Sequence, residues 1–209
     1  MKEVKLTFSD QPSFIGAWYL PEINLCDEIC HAFNTELSQV QGTIGKGDSI
    51  RVDSSAKDSW DACLYKNNDL ADRYERNLQS VLEAYVKKFI YADIVDYYKV
   101  SALNVQKYNK GGGYPAWHCE RQAHNSRHLV FMTYLNDIED GGETEFFYQK
   151  IKVKPRKGLT LVWPVDWTHT HRGNITETEN KMILTGWFNY MDVEEAKTFN
   201  PVKTNPIAA

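Results

Sequence analysis

Seven short runs between residues 100 and 190 decide the fold: VSALNVQKY (100–108), HLVFMTYL (128–135), TEFFY (144–148), KIKVKP (150–155), LTLVW (159–163), THTHRG (168–173) and KMILTGWFNY (181–190). Each is apolar or alternates apolar with polar residues, and glycine or asparagine punctuates the gaps, which is the pattern of strands joined by turns. Upstream the period changes. Ile23 to Leu37 and Asp69 to Tyr91 read as helices, and in the second Leu70, Tyr74, Leu78, Val81, Leu82, Tyr85 and Phe89 recur at helical spacing and form a core face. Strands gathered at one end of the chain and helices at the other predict a mainly β domain, an antiparallel barrel or sandwich with helices packed outside.

The chain has 209 residues, enough for one sizeable core and short for two. Its expected organisation is one domain, with a mostly helical support over 1–95, a β core over 96–191 and a loose tail over 192–209. Trp 6, Tyr 12 and Phe 9 exclude a disordered or fibrous chain. A formal charge of −4 argues against an extended phosphate-binding surface, so no nucleic-acid partner is expected. No apolar run approaches the roughly 20 residues that span a bilayer, and MKEVKLTFSDQPSF lacks a signal-peptide core; a soluble, cytoplasmic protein is the expectation. Cys26, Cys30, Cys63 and Cys119 have no zinc-knuckle or dithiol spacing and are expected reduced and mostly packed.

The densest chemistry lies in YNKGGGYPAWHCERQ (108–122), where a Gly-rich turn leads to His118 and Glu120. Residues two apart on a strand share a face, so the imidazole and the carboxylate are expected to project together, as two ligands of a metal site. WTHTHRG (167–173) offers a third, 51 residues after Glu120, with His169 and His171 again on one strand face. Two histidines and a carboxylate with open positions suit the non-haem Fe(II) oxygenases. Spacing alone does not separate His169 from His171. His124 and His128, in QAHNSRHLVF (122–131), are expected at the surface or behind the ligands, and Arg121 and Arg127 as solvated loop residues, with a place at the substrate mouth as their alternative. Gly141-Gly142-Glu143-Thr144 reads as a turn into a strand, and Trp163, Trp167 and Trp187 as barrel core or rim.

Further residues join the pattern: Tyr108 ten before His118, Tyr134 sixteen after it, Lys181 ten after His171, then Thr185 and Trp187, with YLNDIEDGGETEF (134–146) and KPRKGLTLVW (154–163) between. Together they resemble the prolyl 4-hydroxylase-like branch of the 2-oxoglutarate/Fe(II)-dependent dioxygenases, over about residues 98 to 190. The resemblance implies a double-stranded β-helix, or jelly roll, with the metal near one mouth. It implies iron on His118, Glu120 and His171, the interval to Lys181 favouring His171 over His169. It further implies that Lys181 pairs with the distal carboxylate of 2-oxoglutarate, and that Tyr108, Tyr134 and Thr185 line the cosubstrate pocket. A lysine suits that role because its contact with a carboxylate is a charge-assisted hydrogen bond. The family's usual carboxylate is aspartate; Glu120 carries one more methylene, about 1.5 Å of extra reach. A carboxylate at this place favours hydroxylation over halogenation.

The implied reaction is oxidation of 2-oxoglutarate to succinate and carbon dioxide by dioxygen, coupled to hydroxylation of a C–H bond. L-Ascorbate is implied as a possible reductant of iron, and a prolyl residue of a peptide or protein as substrate, with small molecules used elsewhere in the superfamily. A jelly-roll scaffold without activity and a zinc hydrolase on the same ligands are the competing readings. Neither has a use for a lysine ten residues beyond the distal histidine. Oligomeric state is not legible.

Overall fold

The computed structural model describes residues 12–45, 49–93, 97–100, 102–121 and 126–191. The expected tail after residue 191 and His124 lie outside them. The described strands form two antiparallel sheets. The larger has eight strands: β1 (Gly16–Tyr19), β2 (Val40–Gln41), β3 (Trp60–Cys63), β4 (Tyr97–Val100), β5 (Asn104–Tyr108), β7 (Arg127–Tyr134), β10 (Leu159–Pro164) and β12 (Lys181–Tyr190). Their order is β1-β10-β7-β12-β5-β3-β2, and β4 also pairs with β12. The smaller sheet runs β6-β11-β8-β9, from β6 (Tyr114–His118), β11 (His171–Gly173), β8 (Thr144–Phe146) and β9 (Ile151–Val153). Two helices, α1 (Leu25–Thr35) and α2 (Asn68–Lys88), complete the framework. This is the antiparallel β architecture with helices that the strand pattern predicts, in the jelly-roll form that the family resemblance implies.

Side-chain alternation divides the core in two. On β7, Leu129 and Phe131 join the cluster shared with the helices, whereas Val130, Met132 and Tyr134 face the second sheet. On β12, Met182, Leu184 and Phe188 face the helices, and Ile183 and Trp187 face inward. Phe33 from α1 and Tyr74, Leu78 and Leu82 from α2 fill the outer layer, while Phe146 of the smaller sheet packs on Trp163 within the barrel. A buried chain of hydroxyls also pins α2: Tyr74 shares a 2.7 Å hydrogen bond with Thr133, which shares another of 2.7 Å with Thr160.

The first 95 residues are not only helical support. β1 pairs with β10 and β3 with β5, so the larger sheet draws three strands from that part of the chain. Strands of two to four residues carry too few alternations to stand out in sequence. No described helix is long and apolar enough to cross a membrane. Cys26 is buried, which pushes its thiol up to about 12, and all four cysteines are free.

Candidate active site

His118 ends β6 and His171 begins β11, and the two are paired directly across the ladder. Directly opposed residues present side chains on the same face, and here the ring centroids are 4.4 Å apart. Glu120 arrives differently from the expectation of a shared strand face. β6 stops at His118, and the backbone N–H groups of Glu120 and Arg121 both donate to the Val165 carbonyl, at 3.1 and 2.9 Å. The chain therefore bends, and the bend brings the carboxylate round: Oε1 lies 3.6 Å from His118 Nε2 and 3.9 Å from His171 Nε2. The ligand atoms of the three residues all lie within 4.8 Å of one another.

His169 does not share this face, contrary to the period-two reading. It closes a 3-10 turn, Trp167–His169, that interrupts the expected strand. Its Nε2 lies 3.0 Å from the Ser13 carbonyl and its Nδ1 3.0 Å from Thr168 Oγ1. It is a packed, hydrogen-bonded histidine away from the cluster.

The protonation of the cluster follows from its surroundings. A carbonyl can only accept, so Nδ1–H of His118 donates to Ala116 O and Nδ1–H of His171 to His169 O, each at 2.9 Å. Each Nε2 is left with a bare lone pair aimed at Glu120. Burial lowers His118 to about 4, with the Lys57 charge adding to the effect; burial and then neighbouring His118 lower His171 to about 3. Both rings are neutral at pH 7. Two imidazole lone pairs thus converge on one carboxylate oxygen, an arrangement that a cation satisfies and water alone does poorly. Two imidazoles and one carboxylate suit iron among the first-row metals.

These residues line a cavity of about 510 Å³ that also exposes Tyr108, Lys181 and Thr185. Lys181 is only 3% exposed. Its Nζ donates to the Gly142 carbonyl at 3.0 Å and stands 4.9 Å from the centre of the Tyr108 ring. That carbonyl is presented by the turn expected at residues 141–144, where Gly141 and Gly142 take φ of +71° and +68°. Among the described residues no carboxylate stands at ion-pair distance from Lys181, and burial lowers it to about 8, opposed by the more distant Glu143.

The remaining candidates are anchored to protein. Tyr108 donates its hydroxyl to Gln106 Oε1 at 2.6 Å, and Thr185 donates to the Phe131 carbonyl at 2.9 Å. Tyr134 is fully buried behind the wall, its hydroxyl 2.6 Å from Thr144 Oγ1 and 3.0 Å from the Val153 carbonyl, and it reaches the cavity only through Thr144. Trp163 is core, Trp187 is half-buried, and Trp167 is 64% exposed. Arg121 pairs with Asp166 at 2.8 Å, and His128 Nε2 lies 2.9 Å from the Ala92 carbonyl.

Three cavity residues have contacts that the motifs did not assign to them. Arg127, expected as a solvated loop residue, opens β7 and bonds to Glu120 at 3.3 Å. The indole N–H of Trp187 donates to Glu120 Oε2 at 3.1 Å. Trp187 lies six residues after Lys181 on β12, so strand parity was the signal that could have placed it inside. Lys57, buried in the wall, pairs with Asp61 at 2.6 Å; nothing in its loop sequence marks it.

Comparison with known proteins agrees with this geometry. Residues 103–189 match the model of the 2OG-Fe(II) oxygenase superfamily. A probable prolyl 4-hydroxylase 9 of Arabidopsis thaliana is 29% identical over 122 residues, spanning 45% of this chain and 42% of the relative, so the chain covers under half of that protein's length. A Pseudomonas putida prolyl-4-hydroxylase superposes with a TM-score of 0.61 at 16% identity, covering 85% of this chain and 93% of that one. A Trichoplax adhaerens prolyl hydroxylase, solved with a hypoxia inducible factor peptide fragment, gives 0.65 at 13% identity, covering 89% and 87%. The barrel segment 103–189, which carries the His-Glu-His cluster, is thus similar to the 2OG-Fe(II) oxygenase superfamily, and prolyl 4-hydroxylases are among the proteins it resembles.

Proposed function

We propose that this protein is a 2-oxoglutarate- and Fe(II)-dependent dioxygenase that hydroxylates a C–H bond, its substrate a prolyl residue of a peptide or protein. One observation carries the proposal: a single cavity holds both the convergent His118-Glu120-His171 cluster and a buried Lys181 with no carboxylate partner among the described residues. Iron and 2-oxoglutarate, when bound, supply an oxidant from dioxygen, with succinate and carbon dioxide as the coproducts. His118 and His171 hold the metal through Nε2, their tautomers fixed by the Ala116 and His169 carbonyls, and Glu120 supplies the anionic ligand. Lys181 receives the distal carboxylate of 2-oxoglutarate, where low water content strengthens the contact. Tyr108 offers its ring beneath Lys181, Thr185 lines the same wall, and Tyr134 holds Thr144 in place. L-Ascorbate serves as the reductant that rescues oxidised iron. In this proposal the chain acts as one catalytic domain, with α1, α2 and β1 to β3 buttressing the barrel.

The prolyl assignment is supported by the names of the relative and of the structural neighbours, and the peptide held by the Trichoplax protein makes a peptide substrate reasonable for this cavity. Succinate formation from 2-oxoglutarate and Fe(II) without a prime substrate tests the reaction. It is expected to disappear in His118→Ala; an unchanged rate in that variant defeats the assignment. A peptide library scored for a gain of one oxygen atom tests the substrate, and modification confined to residues other than proline defeats that part alone. A scaffold or a zinc hydrolase on the same residues forms no succinate.

A further inference from the structure

Glu120 is not simply a longer aspartate. Its backbone position is set by the two N–H bonds to the Val165 carbonyl, outside the strand that carries His118. Its two carboxylate oxygens then meet different surroundings. Oε2 accepts the Trp187 indole N–H at 3.1 Å and Arg127 Nη1–H at 3.3 Å. Oε1 has no such donors among the described residues and faces the Nε2 atoms of both histidines. The two donors are themselves locked together. The Arg127 guanidinium lies 3.5 Å from the centre of the Trp187 ring, and Nη1 also donates to the Glu120 carbonyl at 3.1 Å. Arg127 thereby grips both the backbone and the side chain of one residue.

Resting on the iron reading above, we infer that Arg127 and Trp187 are positioning residues that retain one oxygen of Glu120 so that the other alone is presented to the metal. This clamp is what allows a glutamate to stand where the superfamily pattern has aspartate. A carboxylate with both oxygens free takes two positions on a metal as readily as one; with Oε2 held, it takes one and leaves the other for cosubstrate or dioxygen. Aspartate, shorter by about 1.5 Å, cannot reach the histidine pair while also meeting Trp187 and Arg127. Outer hydrogen bonds of this kind orient metal ligands and commonly alter affinity by roughly 10–100-fold.

The test is metal binding by the full chain, free of turnover. Mn(II) affinity is measured by calorimetry, and Co(II) coordination by its visible ligand-field bands under anaerobic conditions. Trp187→Phe keeps the ring and removes the N–H; Arg127→Met removes the second donor; Glu120→Asp shortens the ligand. Each is expected to weaken Mn(II) binding by roughly 10-fold or more. The first two are also expected to shift the Co(II) bands as Oε2 is released, with the apo melting temperature of Trp187→Phe close to that of the wild type. A purely structural role moves the melting temperature and leaves the bands of the folded fraction where they were, which overturns the clamp. Wild-type affinity in Trp187→Phe and Arg127→Met, or tighter binding in Glu120→Asp, also overturns it. If Trp187→Phe fails to fold, Arg127→Met and Glu120→Asp decide by the same criteria. Failure of the wild type to bind Mn(II) or Co(II) removes the metal reading itself, whereas wild-type binding with unaltered variants removes the clamp alone.

Discussion

Lys57 and Lys181 are buried in the wall of the same cavity, 5% and 3% exposed, yet their charges are met in different ways. Lys57 has a carboxylate at 2.6 Å, and Asp61 in turn accepts from Ser59 and Asn104, so the group is closed. Lys181 has a carbonyl and the face of a tyrosine, which stabilise an ammonium but do not neutralise it. A buried ion pair costs stability when one partner is lost; a buried single charge costs stability while it stands. The first is a structural solution. The second leaves a buried cation that the proposed function assigns to an anionic cosubstrate.

Breaking each lysine in turn gives opposite signatures. Lys57→Met leaves Asp61 partly buried without its cation and is expected to lower unfolding free energy by about 3 kcal/mol, the range for broken buried pairs. Chemical denaturation checks it; unchanged stability would make the pair ornamental. Lys181→Met is expected to do the reverse, holding or raising stability while weakening 2-oxoglutarate by about 100-fold, the scale of truncating one partner of a buried charge pair. The KM for 2-oxoglutarate in uncoupled succinate formation reads it, and wild-type KM would place the cosubstrate elsewhere.

The contrast sharpens with pH. Lys181 titrates near 8 in the folded chain against 10.5 unfolded. Below pH 8 both states hold the proton, and the folded state bears the whole desolvation penalty, on the order of 3 kcal/mol. Between pH 8 and 10.5 the unfolded chain binds more protons, so stability attributable to this residue rises with pH across that window. The melting advantage of Lys181→Met over the wild type is therefore expected at pH 7 and to vanish by about pH 10.5; a pH-independent difference would contradict it. Least affected is Tyr108→Phe. Its hydroxyl serves Gln106, so a change of no more than about threefold in the KM for 2-oxoglutarate is expected, the ring beneath Lys181 being kept. A loss approaching that of Lys181→Met would show that the hydroxyl turns to the cosubstrate.

The long strands and helices were legible because their periods persist: β7 and β12 alternate over eight and ten residues, and α2 keeps its apolar face for 21. That His118, Glu120 and a distal histidine could meet was legible as spacing, whereas the choice of His171 and the place of Lys181 came from the family resemblance. What spacing could not convey is where a ladder stops. β6 ends at His118 because its partner β11 begins at His171, and the next N–H groups turn to Val165 instead. The same limit concealed the 3-10 turn that removes His169. Arg127 was illegible for a further reason. A loop arginine is ordinarily solvated, and only the approach of Trp187 and Glu120 from distant parts of the chain makes this one a partner.

The two-sided use of β12 has a consequence for how such a protein can change. Residues 182, 184 and 188 belong to the helical layer, and Lys181, Thr185 and Trp187 to the cavity. Substitutions at the even positions can drift with the helices while the odd ones stay fixed, so stability and chemistry have separate alphabets written on one strand. Deleting a single residue there abolishes that separation, exchanging the faces of cavity residues such as Lys181 and Thr185 with those of apolar ones such as Leu184 and Phe188 across the deletion. Length, more than composition, is what this strand has to preserve.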